Sequence, residues 1–112
     1  MLNAHARSLL ADRGNQLVLS VASTWEIAIK VSIGKLQLPG PVETFIPEQV
    51  RQDDTQILPV ELRHTLHLVN LPHHHRDPFD RMLVAQAMVE SLPLLTADPL
   101  LRPYGAPMVW AG

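Results

Sequence analysis

RDPFDRMLVAQAMVESLPLLTAD, residues 76–98, is the stretch of sequence from which the fold can be predicted. Residues 79–91 form an apolar-rich run, and Pro78 stands just before it, in the first turn, where a helix tolerates proline, so the run predicts a helix. Residues 94–95 then predict a short strand buried on both faces. Because this strand runs back along the helix, we expect Asp80 and Asp98 to lie at the same edge of a sheet.

Asp80 lies on an unusual face of this predicted helix. It shares a stripe with Val84, Ala87 and Met88, whereas Gln86 and Glu90 lie together elsewhere. An acid on an apolar stripe is costly unless it caps the helix, pairs or binds a cation. Capping by Asp80 or Asp77 is therefore one interpretation and a metal site is the other. Asp98, which precedes proline, is likewise compatible with a turn or an N-cap.

The composition is that of one small globular domain spanning residues 1–112. The chain is 46% hydrophobic and 18% charged, with a net charge of −2. The absence of cysteine excludes disulfides and thiolate metal sites. Five of the six histidines and three arginines fall between residues 63 and 81, which predicts a local basic patch. No run of eighteen apolar residues or leader pattern is present, so we expect a cytoplasmic protein without a membrane segment.

Strands and helices alternate along the rest of the chain. Helices are predicted at 2–12, 22–33, 42–51, 60–69 and 99–101, and strands at 17–21, 57–58 and 108–110. Pro47 predicts a kink or a late start in the helix at 42–51. In the helix at 60–69 the predicted inward set is Leu62, Leu66 and Val69, with His64 and His67 on the more polar side. This alternation favours an α/β fold with a mostly parallel sheet and helices on both faces.

Glu26 is a third acid predicted at the functional edge of this sheet. It lies one turn into the helix that follows the strand at 17–21, and sites in parallel sheets lie beyond the carboxyl ends of the strands. The alternative is an ordinary ion pair with Lys30, four residues later. Against that alternative, the helix is apolar nearly all round, so we expect little of it to face water.

Three converging carboxylates without cysteine favour a hard cation, Mg²⁺ or Mn²⁺. A cation held in this way can lower the pKa of a bound water and stabilise the charge that develops on a phosphodiester. Arg76, Arg81 and the histidines at 73–75 flank the same edge, where they are predicted to contact the phosphates of a nucleic-acid backbone, with His75 as the histidine contact. A solvated loop is the alternative for the histidines.

Three stretches resemble PIN-domain proteins of the VapC toxin type, which are ribonuclease partners in toxin-antitoxin pairs. They are SVASTWEIAIKVSIGKLQLP (20–39), LPHHHRDPFDRMLVAQA (71–87) and LPLLTAD (92–98). The resemblance implies a PIN-like three-layer α/β fold and an RNA-cleaving site that binds Mg²⁺ or Mn²⁺. It assigns the catalytic and metal-binding roles to Glu26, Asp80 and Asp98. Asp77 is an accessory acid or a cap, and Thr96 is a candidate hydroxyl beside Asp98.

The resemblance also implies a homodimer and an antitoxin that wraps the toxin and blocks its site. One departure concerns the front of the chain, because such proteins open with a strand ending in Asp, whereas this sequence starts at the helix after it. We therefore expect an N-terminally truncated PIN-like domain, or a strand ending in Asp encoded upstream of Met1. The alternative function is a non-catalytic PIN remnant that binds an antitoxin or RNA.

Overall fold

The computed structural model describes residues 16–73, 76–96, 104 and 108–110 of the protein. The chain divides into two compact units, one of which is Gln16–Pro59; the other includes the described residues from 60 onward. Each unit contains one parallel pair of strands among its described residues. The prediction of an α/β chain with parallel strands and covering helices is confirmed, whereas the prediction of a single domain stays a prediction.

The first unit contains strand β1 (Val18–Ser20), helix α1 (Val21–Ser32), helix α2 (Val42–Gln52) and strand β2 (Gln56–Leu58). Strand β1 leads directly into α1, because Ser20 is both the last residue of β1 and the N-cap of α1. Its hydroxyl accepts a hydrogen bond from the Ala22 N–H at 3.0 Å. Gly34, with φ of 75°, follows the end of α1 in the left-handed region that glycine adopts without strain.

Strands β1 and β2 pair in parallel, with Leu19 opposite Ile57. Parallel neighbours need a long crossover, which α1 and α2 supply. Helix α2 begins at Val42 and continues through Pro47, so the late start that proline suggested is not observed. The expectation that α1 would be largely shielded from water is wrong, because Ala22 is its only buried residue.

The second unit contains helix α3 (Leu62–His67), the 3₁₀ turn Leu68–Asn70, helix α4 (Pro78–Glu90) and strands β3 (Leu94–Thr96) and β4 (Met108–Trp110). Helix α4 matches the predicted helix to within one residue at each end. It ends at Ser91, whose φ of 55° turns the chain sharply. Strand β3 pairs in parallel with β4, with Leu95 opposite Val109.

The core of the second unit forms around α4, with residues from before and after that helix. Leu71, Val84 and Tyr104 form a buried hydrophobic cluster, and Leu68 and Leu94 pack against it. The predicted inward stripe of α4 is confirmed for Val84 and Ala87, which are buried, and is wrong for Met88, which is exposed. Leu94 follows the short turn at Ser91 and packs on this cluster. Strand β3 therefore begins by running back towards the middle of α4.

Helix α3 presents the opposite face to the one that its apolar residues suggested. Leu62, Leu66 and Val69 are 73%, 59% and 85% exposed, whereas His64 is fully buried. Gln86, which the stripe on α4 placed away from the apolar side, is 2% exposed. The prediction was wrong because it scored hydrophobicity alone. A buried polar side chain is stable where each of its hydrogen-bonding atoms has a partner, and α4 supplies partners for His64.

Candidate functional site

Two acids with different tasks form the start of α4. Asp77 is the N-cap, and its Oδ1 accepts hydrogen bonds from the Phe79 N–H at 2.8 Å and the Asp80 N–H at 3.2 Å. Capping, one of the interpretations left open by the sequence, thus belongs to Asp77 rather than to Asp80. Asp80 lies in the first turn and is half-buried. Its carboxylate is consequently not needed to cap the helix.

Glu26 makes the ion pair that the sequence offered as the alternative to a metal site. Its Oε2 lies 3.3 Å from Lys30 Nζ, one helical turn later. The Glu26 side chain is 26% exposed and that of Lys30 is 50% exposed. Such an exposed ion pair contributes only about 0.3–0.5 kcal/mol to the stability of the fold. The pair with Lys30 therefore explains little of why a glutamate stands at position 26.

The three predicted metal ligands are not all described. Glu26 belongs to the first unit and Asp80 to the second, and Asp98 lies outside the described residues, as does His75. The backbone of Thr96 ends β3. The convergence of Glu26, Asp80 and Asp98 on one cation therefore stays a prediction. The accessory roles of Asp77 and Thr96 also stay predictions.

His64 is the centre of a polar network between α3 and α4 that the sequence reasoning missed. Its Nδ1 accepts a hydrogen bond from the Glu61 backbone N–H at 2.9 Å, and the Gln86 amide nitrogen lies 3.4 Å from the same atom. Its Nε2 lies 2.7 Å from Glu90 Oε2. Because Nδ1 is an acceptor, the ring proton is placed on Nε2, which donates to Glu90.

Arg63 completes this network on its exposed side. The guanidinium forms an ion pair with Glu90 and donates to Glu61 Oε1 at 3.1 Å. The hydrogen bond from His64, reinforced by the charge of Arg63, lowers the pKa of Glu90 below its usual value of 4.5. The hydrogen bond to Glu61 raises the pKa of Arg63. One signal was available: His64 is the third residue after the Glu61 N-cap, the spacing of a capping box.

Glu61, His64 and Glu90 each offer a ligand atom, and these atoms lie within 4.8 Å of one another. Their hydrogen bonds nevertheless oppose metal binding. A neutral histidine that binds a metal through Nε2 carries its proton on Nδ1, and here that proton would face the Glu61 N–H. The carboxylates are also already paired with Arg63. Moreover, Glu90 and Asp80 are separated by about 15 Å along α4, at a rise of 1.5 Å per residue.

The two arginines predicted to contact RNA have different environments. Arg76 is exposed, and Arg81 is half-buried. Arg81 Nη2 donates to the Leu71 carbonyl at 3.0 Å. Its Nε is buried and has no hydrogen-bond acceptor among the described residues. The side chains of Arg76 and Arg81 therefore differ in solvent exposure.

A profile of the PIN domain matches residues 2–105. The chain belongs to the PIN domain family. The predicted resemblance and the PIN-like α/β fold are thereby confirmed. A strand upstream of Met1 stays a prediction. Over 61 residues this PIN domain is also 41% identical to "Ribonuclease VapC16" from Mycobacterium tuberculosis (strain ATCC 25618 / H37Rv). That match covers 54% of this chain and 43% of the relative, so the chain spans less than half the length of the curated protein that it matches.

The longest described helix of this PIN domain has 13 residues. None of the described helices combines the length and the apolar character that crossing a bilayer requires.

Proposed function

We propose that this PIN-domain protein is a metal-dependent endoribonuclease of the VapC toxin type. The observation that carries the proposal is the division of tasks at the start of α4. Asp77 caps the helix, so capping does not explain the half-buried Asp80 in the first turn. The family match and the similarity to a ribonuclease support the same activity.

The ligand set in this proposal is Glu26, Asp80 and Asp98. Carboxylate oxygens suit Mg²⁺ or Mn²⁺, and the sequence has no cysteine for a softer site. A bound cation of this kind lowers the pKa of a water and offsets charge on the phosphodiester. In this proposal Asp77 orients Asp80 through the first turn of α4, and the hydroxyl of Thr96 acts beside Asp98. Arg76 and His75 contact the phosphates of RNA, which would hold the substrate without reading its bases.

The proposed partners are RNA, a cognate antitoxin protein and a second copy of the chain, and the proposed compartment is the cytoplasm. The similar protein is named "Ribonuclease VapC16", and the resemblance to toxins of the VapC type implies the antitoxin partner. An antitoxin that blocks the acidic site would suppress cleavage without changing the catalytic residues.

The decisive test of the ribonuclease proposal compares two glutamates that each form an ion pair with a basic residue of their own helix. Glu26 pairs with Lys30 on α1, and Glu48 pairs with Arg51 on α2 at 2.9 Å. Glu26→Gln should abolish Mg²⁺-dependent cleavage of RNA, whereas Glu48→Gln also breaks an ion pair within a helix, a more exposed one, and should leave cleavage unchanged. Equal rates for the two variants would exclude Glu26 from the site.

A non-catalytic PIN remnant that binds an antitoxin or RNA is the second candidate. The observation on its side is the Glu26–Lys30 ion pair, because this contact, although weak, gives the Glu26 carboxylate a partner without any metal. Chelation of divalent cations separates the two functions: RNA cleavage should vanish with EDTA and return with Mg²⁺, whereas binding by a remnant would persist throughout.

A further inference from the structure

Arg81 is a cationic side chain next to Asp80 to which the proposed mechanism assigns no role. It follows Asp80 directly in the first turn of α4, and its Nη2 donates to the carbonyl of Leu71 at 3.0 Å. Leu71 is itself 3% exposed and belongs to the core with Val84 and Tyr104. The guanidinium therefore joins the first turn of α4 to a fixed point in the core.

This contact fastens one end of the loop that leads into α4. The segment 71–77 starts at Leu71, which Arg81 holds, and finishes at Asp77, which caps the helix through Phe79 and Asp80. Both ends of the loop are thus bound to the same turn. The turn that carries Asp80 is fixed from two directions, by a side chain of the helix and by a side chain of the loop.

The placement of the guanidinium argues against a direct contact with RNA. A phosphate ligand presents its N–H groups to solvent, where the nucleic-acid backbone approaches. Arg81 instead has one N–H on a backbone carbonyl and a buried Nε without an acceptor among the described residues. Arg76, five residues earlier, is exposed and has the environment expected of a phosphate ligand.

We propose that Arg81 is a positioning residue of the nuclease site: by binding the Leu71 carbonyl, it fixes the turn that presents Asp80 to the metal. This inference rests on the proposed ribonuclease function. It replaces the phosphate contact that the sequence suggested for Arg81. Small displacements of a catalytic group are costly, and a misplacement of about 1 Å can slow a reaction about 100-fold.

The test uses the full chain and three variants. Arg81→Met keeps the apolar stem and removes every donor, whereas Arg81→Lys keeps a cation with a donor that can reach the carbonyl. Arg51→Met is the matched control, since Arg51 is an exposed arginine of α2 that pairs with Glu48. For each protein we would measure kcat and KM for RNA with Mg²⁺, and amide hydrogen exchange of residues 71–81. RNA affinity against salt would be measured without divalent cations.

We expect Arg81→Met to lower kcat about 100-fold with little change in KM. Its loop should exchange amide protons faster, and the salt dependence of RNA binding should equal that of the wild type. Arg81→Lys should recover most of kcat and of the exchange protection, and Arg51→Met should match the wild type in every measurement. If Arg81→Met does not fold, Arg81→Lys decides: a folded variant with wild-type exchange but without cleavage would overturn the inference.

Two other outcomes would also overturn the positioning role. A wild-type kcat in Arg81→Met, with a salt slope reduced by about 0.7, would identify Arg81 as a ligand of one phosphate. A loss of kcat with unchanged exchange of residues 71–81 would show that Arg81 does not act through the loop. Failure of the proposed function looks different, because the wild-type protein would then not cleave RNA with Mg²⁺, and the positioning role would fall with it.

Discussion

His64 Nε2 lies 2.7 Å from Glu90 Oε2, and this hydrogen bond joins α3 to the last turn of α4. The imidazole is fully buried and the carboxylate is partly exposed. On its other side, the ring accepts the Glu61 backbone N–H. A single side chain therefore caps one helix and binds a second, which makes His64 the main polar contact described between them.

His64→Ala should lower the free energy of unfolding by about 2–4 kcal/mol, because it leaves a cavity and removes partners from Glu90 and the Glu61 N–H. Urea unfolding measures this loss. His67→Ala, on the same helix but only half-buried, should cost clearly less. Equal losses for the two variants would show that the network adds no stability.

Stability should depend on Glu90 at acid pH. Its pKa in the folded protein is lowered from 4.5, so its contribution is fully present above pH 4.5 and is lost as the pH falls through the lowered folded value. Glu90→Gln should therefore remove part of the acid dependence of unfolding. The measurement is the difference in unfolding free energy between wild type and variant, from neutral pH downward. A difference that does not change with pH would contradict the assignment.

Leu66→Lys should change the free energy of unfolding by less than about 0.5 kcal/mol, because Leu66 is exposed on α3. Leu71→Ala should cost about 2–5 kcal/mol, because Leu71 lies in the core. Denaturant unfolding of both variants tests whether Leu66 on α3 is exposed while Leu71, which follows the 3₁₀ turn, is buried. A large loss in Leu66→Lys would restore the inward face that the sequence suggested.

Mn²⁺ should raise the melting temperature of the wild-type protein and should not raise that of Asp80→Asn, since ligand binding to the folded state stabilises it. Glu90→Gln is the control, because Glu90 belongs to the network whose hydrogen bonds oppose metal binding. That variant should start from a lower melting temperature and show the same increment with Mn²⁺. An increment lost in Glu90→Gln and kept in Asp80→Asn would move the metal to the other end of α4.

Asp77→Ala should lower the free energy of unfolding by about 1 kcal/mol through loss of the N-cap, whereas Asp77→Asn should retain most of the capping. Asp77→Asn also removes the negative charge of the side chain. The same variant therefore distinguishes a capping role of Asp77 from a role as an accessory metal ligand. Normal stability with reduced cleavage in Asp77→Asn would support the accessory role. Normal stability with normal cleavage would leave Asp77 as a cap alone.

Local chemistry made much of the second unit predictable. Pro78 and the αL residue Ser91 lie at the two ends of α4, and the predicted bounds differ from the observed ones by one residue. Val84 and Ala87 are buried because their spacing follows the helical period. The short strands at 18–20 and 94–96 were recognised as uninterrupted apolar runs beside helices.

The face of α3 and the network around His64 were not predictable in the same way. Helical periodicity reports hydrophobicity, and it assigned the leucines to the core and the histidine to water. The observed arrangement depends on a partner 26 residues away, Glu90, and on a backbone N–H at the helix start. Such contacts are set by tertiary geometry, for which a single sequence contains little information. Capping by Asp77 was available as one of two interpretations, and the structure decided between them.

The parallel pairing of β1 with β2 has a consequence for how the chain acquires its structure. Leu19 and Ile57 can meet only after both intervening helices have been synthesised and the long segment between them has closed. Pairings between distant residues slow folding, whereas the helices themselves form from local contacts. The first unit should therefore collapse around preformed helices, with the pairing of β1 and β2 completed last. A nascent chain that ends before residue 56 would lack β2, the strand that pairs with β1 among the described residues, and would leave that edge of β1 open.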